Sequence, residues 1–342
     1  MHLARTTAAG VAGGALLTLL KAPLAWLLGS MAATIALALM GFAVVLPNRF
    51  RTIMVAILGV MIGAAFTPEV VAGLADWWKS VAVMLVFIGI ASAANFQFLR
   101  RVVKLDTSTA FFSSAPGGIG EMAILGGAYG GDLRVITVMH TIRIAVAVAT
   151  IPFIVRWLSG GAAAPGLAQA AAGGSLTPSG ALVLAGCVAI GLPLASWARL
   201  PAAALVGPML ASILVHGAGF TREAPPRELV AAAQVIVGIA VGMRFGGRTF
   251  DGLGVVAVAA VGVALALVAG AICVGWAMAP FLGLERVELM LALAPGGVAE
   301  MSLVALSIGI VPAFISAMHI VRITFIIALM PWVYRWAKGP PS

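Results

Sequence analysis

From Gly252 to Ala279 the chain reads GLGVVAVAAVGVALALVAGAICVGWAMA without one charged side chain, and SVAVMLVFIGIASAANF follows the same pattern over 80–96. Coiled as helices, such runs cross the roughly 30 Å hydrocarbon core of a bilayer. In lipid the backbone must satisfy its own hydrogen bonds, which leaves helix bundles and closed barrels as the available folds. A barrel needs alternating strands of about ten residues, whereas these runs are unbroken and rich in Ala, Leu and Gly. The expectation is an all-α polytopic membrane protein. With 62% hydrophobic and 9% charged residues over 342 positions, an ordinary soluble globule is excluded.

The net charge of +9 does not point to nucleic acid. The basic residues sit singly or in small groups between apolar runs, as at Arg49 and Arg51, Arg100 with Arg101 and Lys104, Arg222 and Arg227, and Arg335 with Lys338. Helix ends governed by the positive-inside rule look like this. Cys187 and Cys273 both lie in apolar runs, so neither argues for a disulfide or a thiol metal site. The basic, apolar N-terminus has no clean cleavage site before Lys21 and Pro23, and reads as a first helix rather than a removed signal.

The chain repeats itself. APGGIGEM at 115–122 returns as APGGVAEM at 294–301, and MHTIRI at 139–144 returns as MHIVRI at 318–323. Glu121 and Glu300 are 179 residues apart, as are His140 and His319, Arg143 and Arg322, and Asp106 and Glu285. Gly59 and Gly63 match Gly238 and Gly242 at that offset; Pro23, Gly29 and Met31 match Pro201, Gly207 and Met209 at 178. The chain is a tandem duplication: a first membrane repeat over 1–158, an uncharged Ala/Gly/Pro linker over 159–180, and a second repeat over 181–342. Apolar segments are expected at 7–20, 24–46, 51–66, 77–98, 105–130 and 133–157. Their counterparts fall near 181–198, 201–218, 229–246, 253–282, 286–309 and 312–336.

The fifth segment of each copy carries Pro-Gly-Gly. Pro116 removes a backbone donor and Gly117-Gly118 tolerate unusual angles, so the helix should unwind there and at Pro295-Gly296-Gly297. Unwound backbone at membrane depth must face protein or a cavity. If the broken segment crosses, each copy has six spans and the copies are parallel; if it re-enters, each has five and they are inverted. Counting Lys and Arg per side does not choose. Transporter folds built on inverted repeats with broken helices favour five spans each.

Glu121 and Glu300 begin the restarted half-helices, where the positive end of the helix dipole favours a carboxylate. His140 and Arg143, like His319 and Arg322, share one helical face, and an ionisable group at that depth costs about 2.5 to 3.5 kcal/mol unless paired or hydrated. The candidate substrate or ion site is therefore Pro116, Gly117, Gly118, Glu121, His140 and Arg143 with Pro295, Gly296, Gly297, Glu300, His319 and Arg322. In this reading Arg compensates Glu or holds a substrate carboxylate, and Glu or His carries a coupling proton. The blander reading has the Glu residues cap half-helices and the His and Arg residues fix packing. A metal site is disfavoured, because the spacing is wrong for Glu-x-x-His bundles and two guanidinium groups repel a cation. The Gly-x-x-x-Gly pairs read as close helix contacts.

The doubled APGG-x-x-EM with MH-x-x-RI resembles the AbrB family of bacterial inner-membrane proteins, also labelled AbrB duplication or ammonia monooxygenase-like, over almost the whole chain. That family is catalogued as a membrane regulator of gene expression, a name shared with an unrelated soluble DNA-binding regulator. It is also distantly similar to the cation/proton antiporter and anion transporter superfamily, whose discontinuous helices cross at mid-membrane. This chain lacks the paired Asp motif of the antiporters, which weighs against Na⁺/H⁺ exchange.

The combined expectation is a multi-pass protein of the bacterial inner membrane, a proton-coupled secondary transporter of a small organic anion or amino acid. The alternative is a membrane-embedded ligand sensor that regulates gene expression without a DNA-binding domain. An ammonia-oxidising enzyme ranks last, since redox metals need ligand clusters that so few His and Cys do not provide. The chain is read as no enzyme, with no catalytic residue, metal or cofactor. Its partners are the bilayer, a small anionic ligand and protons, with no direct nucleic acid and a homo-oligomer left open.

Overall fold

A computed structural model describes residues 2–158, 176–247 and 252–338. Among them are fifteen α-helices, two short 3-10 turns and no strand. The first half contains α1 (His2–Leu19), α2 (Ala25–Leu39), α3 (Asn48–Gly63), α4 (Pro68–Ala72), α5 (Trp78–Arg101), α6 (Thr107–Ser114), α7 (Ile119–Ala128) and α8 (Leu133–Leu158). The second contains α9 (Pro178–Trp197), α10 (Ala203–Gly217), α11 (Arg227–Gly242), α12 (Gly254–Leu282), α13 (Arg286–Leu293), α14 (Val298–Ser307) and α15 (Pro312–Lys338). Six helical stretches among the described residues are long and apolar enough to cross a membrane, and many of their large apolar side chains stay exposed. The chain is a helical membrane protein.

Most of the expected linker lies outside the described residues. Its last part behaves differently: Pro178–Gly180 open α9, because Thr177 is a good N-cap whose hydroxyl accepts from Gly180 N–H at 3.0 Å.

The chain forms two compact units, and each draws helices from both halves. The first comprises Met1–Asp76, Ala149–Arg248 and Ala299–Ser316. Within it α2 packs on α1 and α11, and α3 packs on α10, which also meets α9. Glycines set these distances. A Cβ at Gly59 or Gly63 would run into the carbonyl oxygen of Leu205 or Met209 on α10, and one at Gly238 into that of Leu27 on α2. The Gly-x-x-x-Gly pairs thus let backbones touch, as their spacing predicts.

The second unit comprises Trp77–Val148, Thr249–Val298 and Ala317–Ser342. Here α5 packs on α6, α12 and α13, and α12 runs beside α13. Each fifth segment splits at its Pro-Gly-Gly, giving α6 and α7 in one case and α13 and α14 in the other. At 1.5 Å per residue these pieces are about 12 and 15 Å long, too short to cross singly.

Positions matched by the sequence offsets share rare backbone conformations. Lys104 and Gly283 have φ of 62° and 67°, and Gly130 and Gly309 have 79° and 80°. Lys21 and Leu24, at 53° and 46°, correspond to Arg199 and Ala202, at 53° and 50°. A side chain pays to sit in this left-handed region, so the coincidence reflects the same turn made twice.

Candidate functional site

Proline dictates the chemistry of both breaks. In an α-helix the carbonyl of Phe112 would accept from residue 116, but Pro116 has no N–H. His140 supplies the missing donor: its Nε2 lies 2.9 Å from Phe112 O. The second break repeats the substitution. Leu291 O faces Pro295, and His319 Nε2 lies 2.9 Å from that carbonyl. Each histidine therefore stands in for a backbone amide that its proline removed.

The arginines satisfy the next carbonyls along. Arg143 donates from Nη1 to Ala115 O at 3.2 Å and from Nη2 to Gly117 O at 2.8 Å. Arg322 donates from Nη1 to Ala294 O at 2.5 Å and from Nη2 to Gly296 O at 2.7 Å. Unwound peptides leave carbonyls without intrahelical partners, and the planar guanidinium fork reaches two of them at once.

These bonds also fix the histidine tautomer. Arginine has no acceptor, so His140 Nδ1, 2.8 Å from Arg143 Nη1, must accept. Nε2 then carries the proton that goes to Phe112 O. His319 Nδ1, 3.2 Å from Arg322 Nη2, is held the same way. Both imidazoles are neutral, and both ring nitrogens are occupied.

All four side chains are deeply buried, with Arg143 5% and Arg322 2% exposed and both histidines fully enclosed. The two guanidinium groups lie near enough for the charge of Arg322 to act on Arg143. Among the described residues neither pairs with a carboxylate, and the Nε of each is buried without a partner. The sequence pairs Arg with Glu at each break; the structure pairs Arg with carbonyl oxygens, because broken backbone presents acceptors closer to hand.

Each glutamate has a neighbour of its own. Glu121, in the first turn of α7, folds its carboxylate back against Gly118, where a Cβ would collide with Oε2. Glu300 lies in the first turn of α14 and belongs to the first compact unit, where its charge acts on Arg244 at the end of α11. Both carboxylates are partly exposed. Pro116, Gly117, Pro295 and Gly296 are buried at the breaks, while Gly118 and Gly297 are partly so. The hydrogen bonds among the twelve residues thus define two His-Arg-carbonyl cradles.

Sequence reasoning missed the clamp on the first break. Ser108 on α6 donates to Tyr129 O at 2.8 Å and its Oγ lies 2.5 Å from the Tyr334 hydroxyl. The rings of Tyr129 and Tyr334 sit 4.9 Å apart, Phe112 stacks on Tyr129 at 5.6 Å, and Arg335 Nε donates to the Tyr129 hydroxyl at 3.1 Å. The protein has two tyrosines, and both are here; that scarcity was the available signal. Arg244 was also missed, because the position 179 residues earlier is Ala65, which offers no matching charge. Among the described residues no three His, Cys, Asp or Glu side chains gather as a metal-ligand set.

Residues 26–338 match the family described as "Transition state regulatory protein AbrB". Two relatives align over nearly the full length. "Uncharacterized protein YhjN" of Bacillus subtilis (strain 168) is 26% identical over 351 residues, covering 96% of this chain and 91% of the relative. "Putative regulator AbrB" of Escherichia coli (strain K12) is 26% identical over 318 residues, covering 92% and 90%. The match takes in both proline breaks and both His-Arg cradles, and the chain belongs to the AbrB family.

Proposed function

We propose that this protein is a secondary transporter of a small organic anion or amino acid in the bacterial inner membrane, coupled to protons and built from inverted repeats of five spans. The observation that carries the reading is the pair of buried arginines. Two like charges removed from water, without a carboxylate to balance them, are costly, and an anion that visits them recovers part of that cost. Each guanidinium has five N–H donors, and three hydrogen bonds leave both with donors to offer. The histidines are spent on carbonyls, so Glu121 and Glu300 carry the coupling proton. No catalytic step is assigned to any residue.

The test is current on a solid-supported membrane, with purified protein in proteoliposomes perfused by a panel of organic anions and amino acids. The expected result is a substrate-dependent current that Glu300→Gln abolishes while the variant keeps its melting temperature. A silent panel from folded, inserted protein overturns the proposal. It would favour the second reading, a membrane-embedded regulator, which draws on the name "Putative regulator AbrB" carried by the Escherichia coli relative. Ligand-induced thermal shifts without flux would be its signature.

A further inference from the structure

His216 is a buried histidine outside the two breaks, and its hydrogen bonds run opposite to theirs. It lies 3% exposed in the last turn of α10. Its Nε2 is 2.8 Å from the carbonyl oxygen of Glu223, and its Nδ1 is 2.8 Å from that of Ser212, one turn back. The Ser212 hydroxyl is also 3.1 Å from Nδ1, but its one hydrogen goes to Val60 O on α3 at 2.8 Å, so toward the ring it can only accept. At His140 and His319 an arginine donates to Nδ1; at His216 each partner is an acceptor.

A ring with acceptors against both nitrogens is satisfied only as the imidazolium, in which both carry hydrogen. Turning the Ser212 hydroxyl to the ring would not change this, because Nδ1 would still face Ser212 O at 2.8 Å with no hydrogen between them. The helix favours the charged form too, since the last turn of α10 presents the negative end of its dipole. Few other charges stand around it. The loop brings Arg222 and Glu223, and α4, which packs on α10, brings Glu69, on which the charge of Arg222 acts. The Glu223 carboxylate is turned to Thr177, accepting from its N–H at 3.1 Å and its hydroxyl at 2.7 Å. Of the other helices against α10, α9 carries no charged residue, and α3 carries Arg49 and Arg51 at its far end, about 13 Å along the axis from Val60.

We propose that His216 is a proton-operated latch on the loop 218–226 between α10 and α11. Protonated, it ties the backbone of Glu223 to the end of α10, while the Glu223 side chain ties the same residue to Thr177 at the start of α9. One loop residue thus joins two helices, and the proton on His216 secures one of the joints. The neutral ring cannot hold both carbonyls and turns from one of them, so the loop is fixed in acid and loosens as the pH rises. Arg222, Ala224 and Pro225 of this loop line a cavity of about 520 Å³ in the first compact unit, and the latch therefore sets one wall of that cavity. The latch does not depend on the transport reading.

The experiment is NMR of the ring nitrogens in the full chain, labelled at histidine and held in nanodiscs, together with hydrogen exchange of the loop. His2→Gln removes the exposed ring and leaves His140, His216 and His319. At about pH 5 one imidazolium, from His216, is expected beside two neutral rings, and by about pH 8 it should be neutral as well. Exchange over 218–226, corrected for its intrinsic pH dependence, should be about tenfold slower at the acid pH, the effect of one buried hydrogen bond made or missed. His216→Gln should remove the imidazolium signal and make the protection equal at both pH values. Three neutral rings in acid, an imidazolium that persists at the alkaline pH, loop protection that ignores pH, or a pH response that survives His216→Gln would each overturn the proposal. The ring signals and the parent exchange remain decisive if His216→Gln does not fold.

Discussion

The two proline breaks are built alike where the backbone is cut and unlike around it. At both, a histidine replaces the proline's missing amide and an arginine bridges the carbonyls of the residue before the proline and the residue after it. Around the first break, Ser108, Phe112, Tyr129 and Tyr334 form an aromatic, hydrogen-bonded clamp. The positions that match them at the 179-residue offset are Val287, Leu291, Ile308 and, for Tyr334, Val155, whose side chains cannot make those bonds. The glutamates diverge as well, with Glu121 lying on Gly118 and Glu300 facing the charge of Arg244. The cradle seen at both breaks thus answers the break itself. The neighbourhood was free to change.

The harshest way to break this comparison is to remove a guanidinium. Arg322→Met should destabilise the protein by about 3 kcal/mol or more, since Ala294 O and Gly296 O lose their guanidinium donors, and Arg143→Met by less, because Ala115 O also accepts from Gly117 N–H at 2.8 Å. Lys should rescue neither, because one ammonium cannot reproduce the planar fork. Thermal unfolding in detergent reads both losses, and a cost confined to one copy would show that the cradles are not equivalent.

Histidine sharpens the point. His140→Leu should cost about 2 kcal/mol by stranding Phe112 O, and adding Pro116→Ala should recover much of it by returning a backbone N–H. His319→Leu should cost less, because Leu291 O also accepts from Ala294 N–H at 3.3 Å. If the double variant melts no higher than His140→Leu, the histidine is not a substitute amide.

The clamp gives a smaller, local effect. Tyr334→Phe keeps the ring and removes the hydroxyl, at about 1 kcal/mol, and should speed hydrogen exchange over 107–129 while leaving 286–307 unchanged. Equal acceleration in both segments would dismiss the asymmetry. Gly118→Ala is the mildest change, with Tm altered by no more than the equivalent of about 0.5 kcal/mol. The methyl meets the mobile end of Glu121, so the carboxylate swings away. An unchanged Tm with altered proton-coupled current would separate that carboxylate from the fold.

Much of this was legible beforehand for a simple reason. Apolar run length reports helices that lipid enforces, and Pro116-Gly117-Gly118 reports a break whatever surrounds it. The Gly59 and Gly238 contacts followed from spacing that lets backbones touch. The partners of Arg143 and Arg322 did not follow, because a carbonyl is present at every residue and has no letter of its own in the sequence. A charged pair such as Glu121 and Arg143 is visible in one-letter code; an arginine bonded to Ala115 O and Gly117 O is not.

One-letter code alone carried the long apolar helices, the return of APGG-x-x-EM and MH-x-x-RI at one spacing, and the proline break that accompanies each His-x-x-Arg. Those features are local or repeat at a constant spacing, so they survive without coordinates. Packing added that the two compact units take helices from both halves of the chain and that the arginines serve carbonyls. Each depends on which helices lie side by side, and that is set by packing over distances that hydrophobic pattern and motif spacing do not encode.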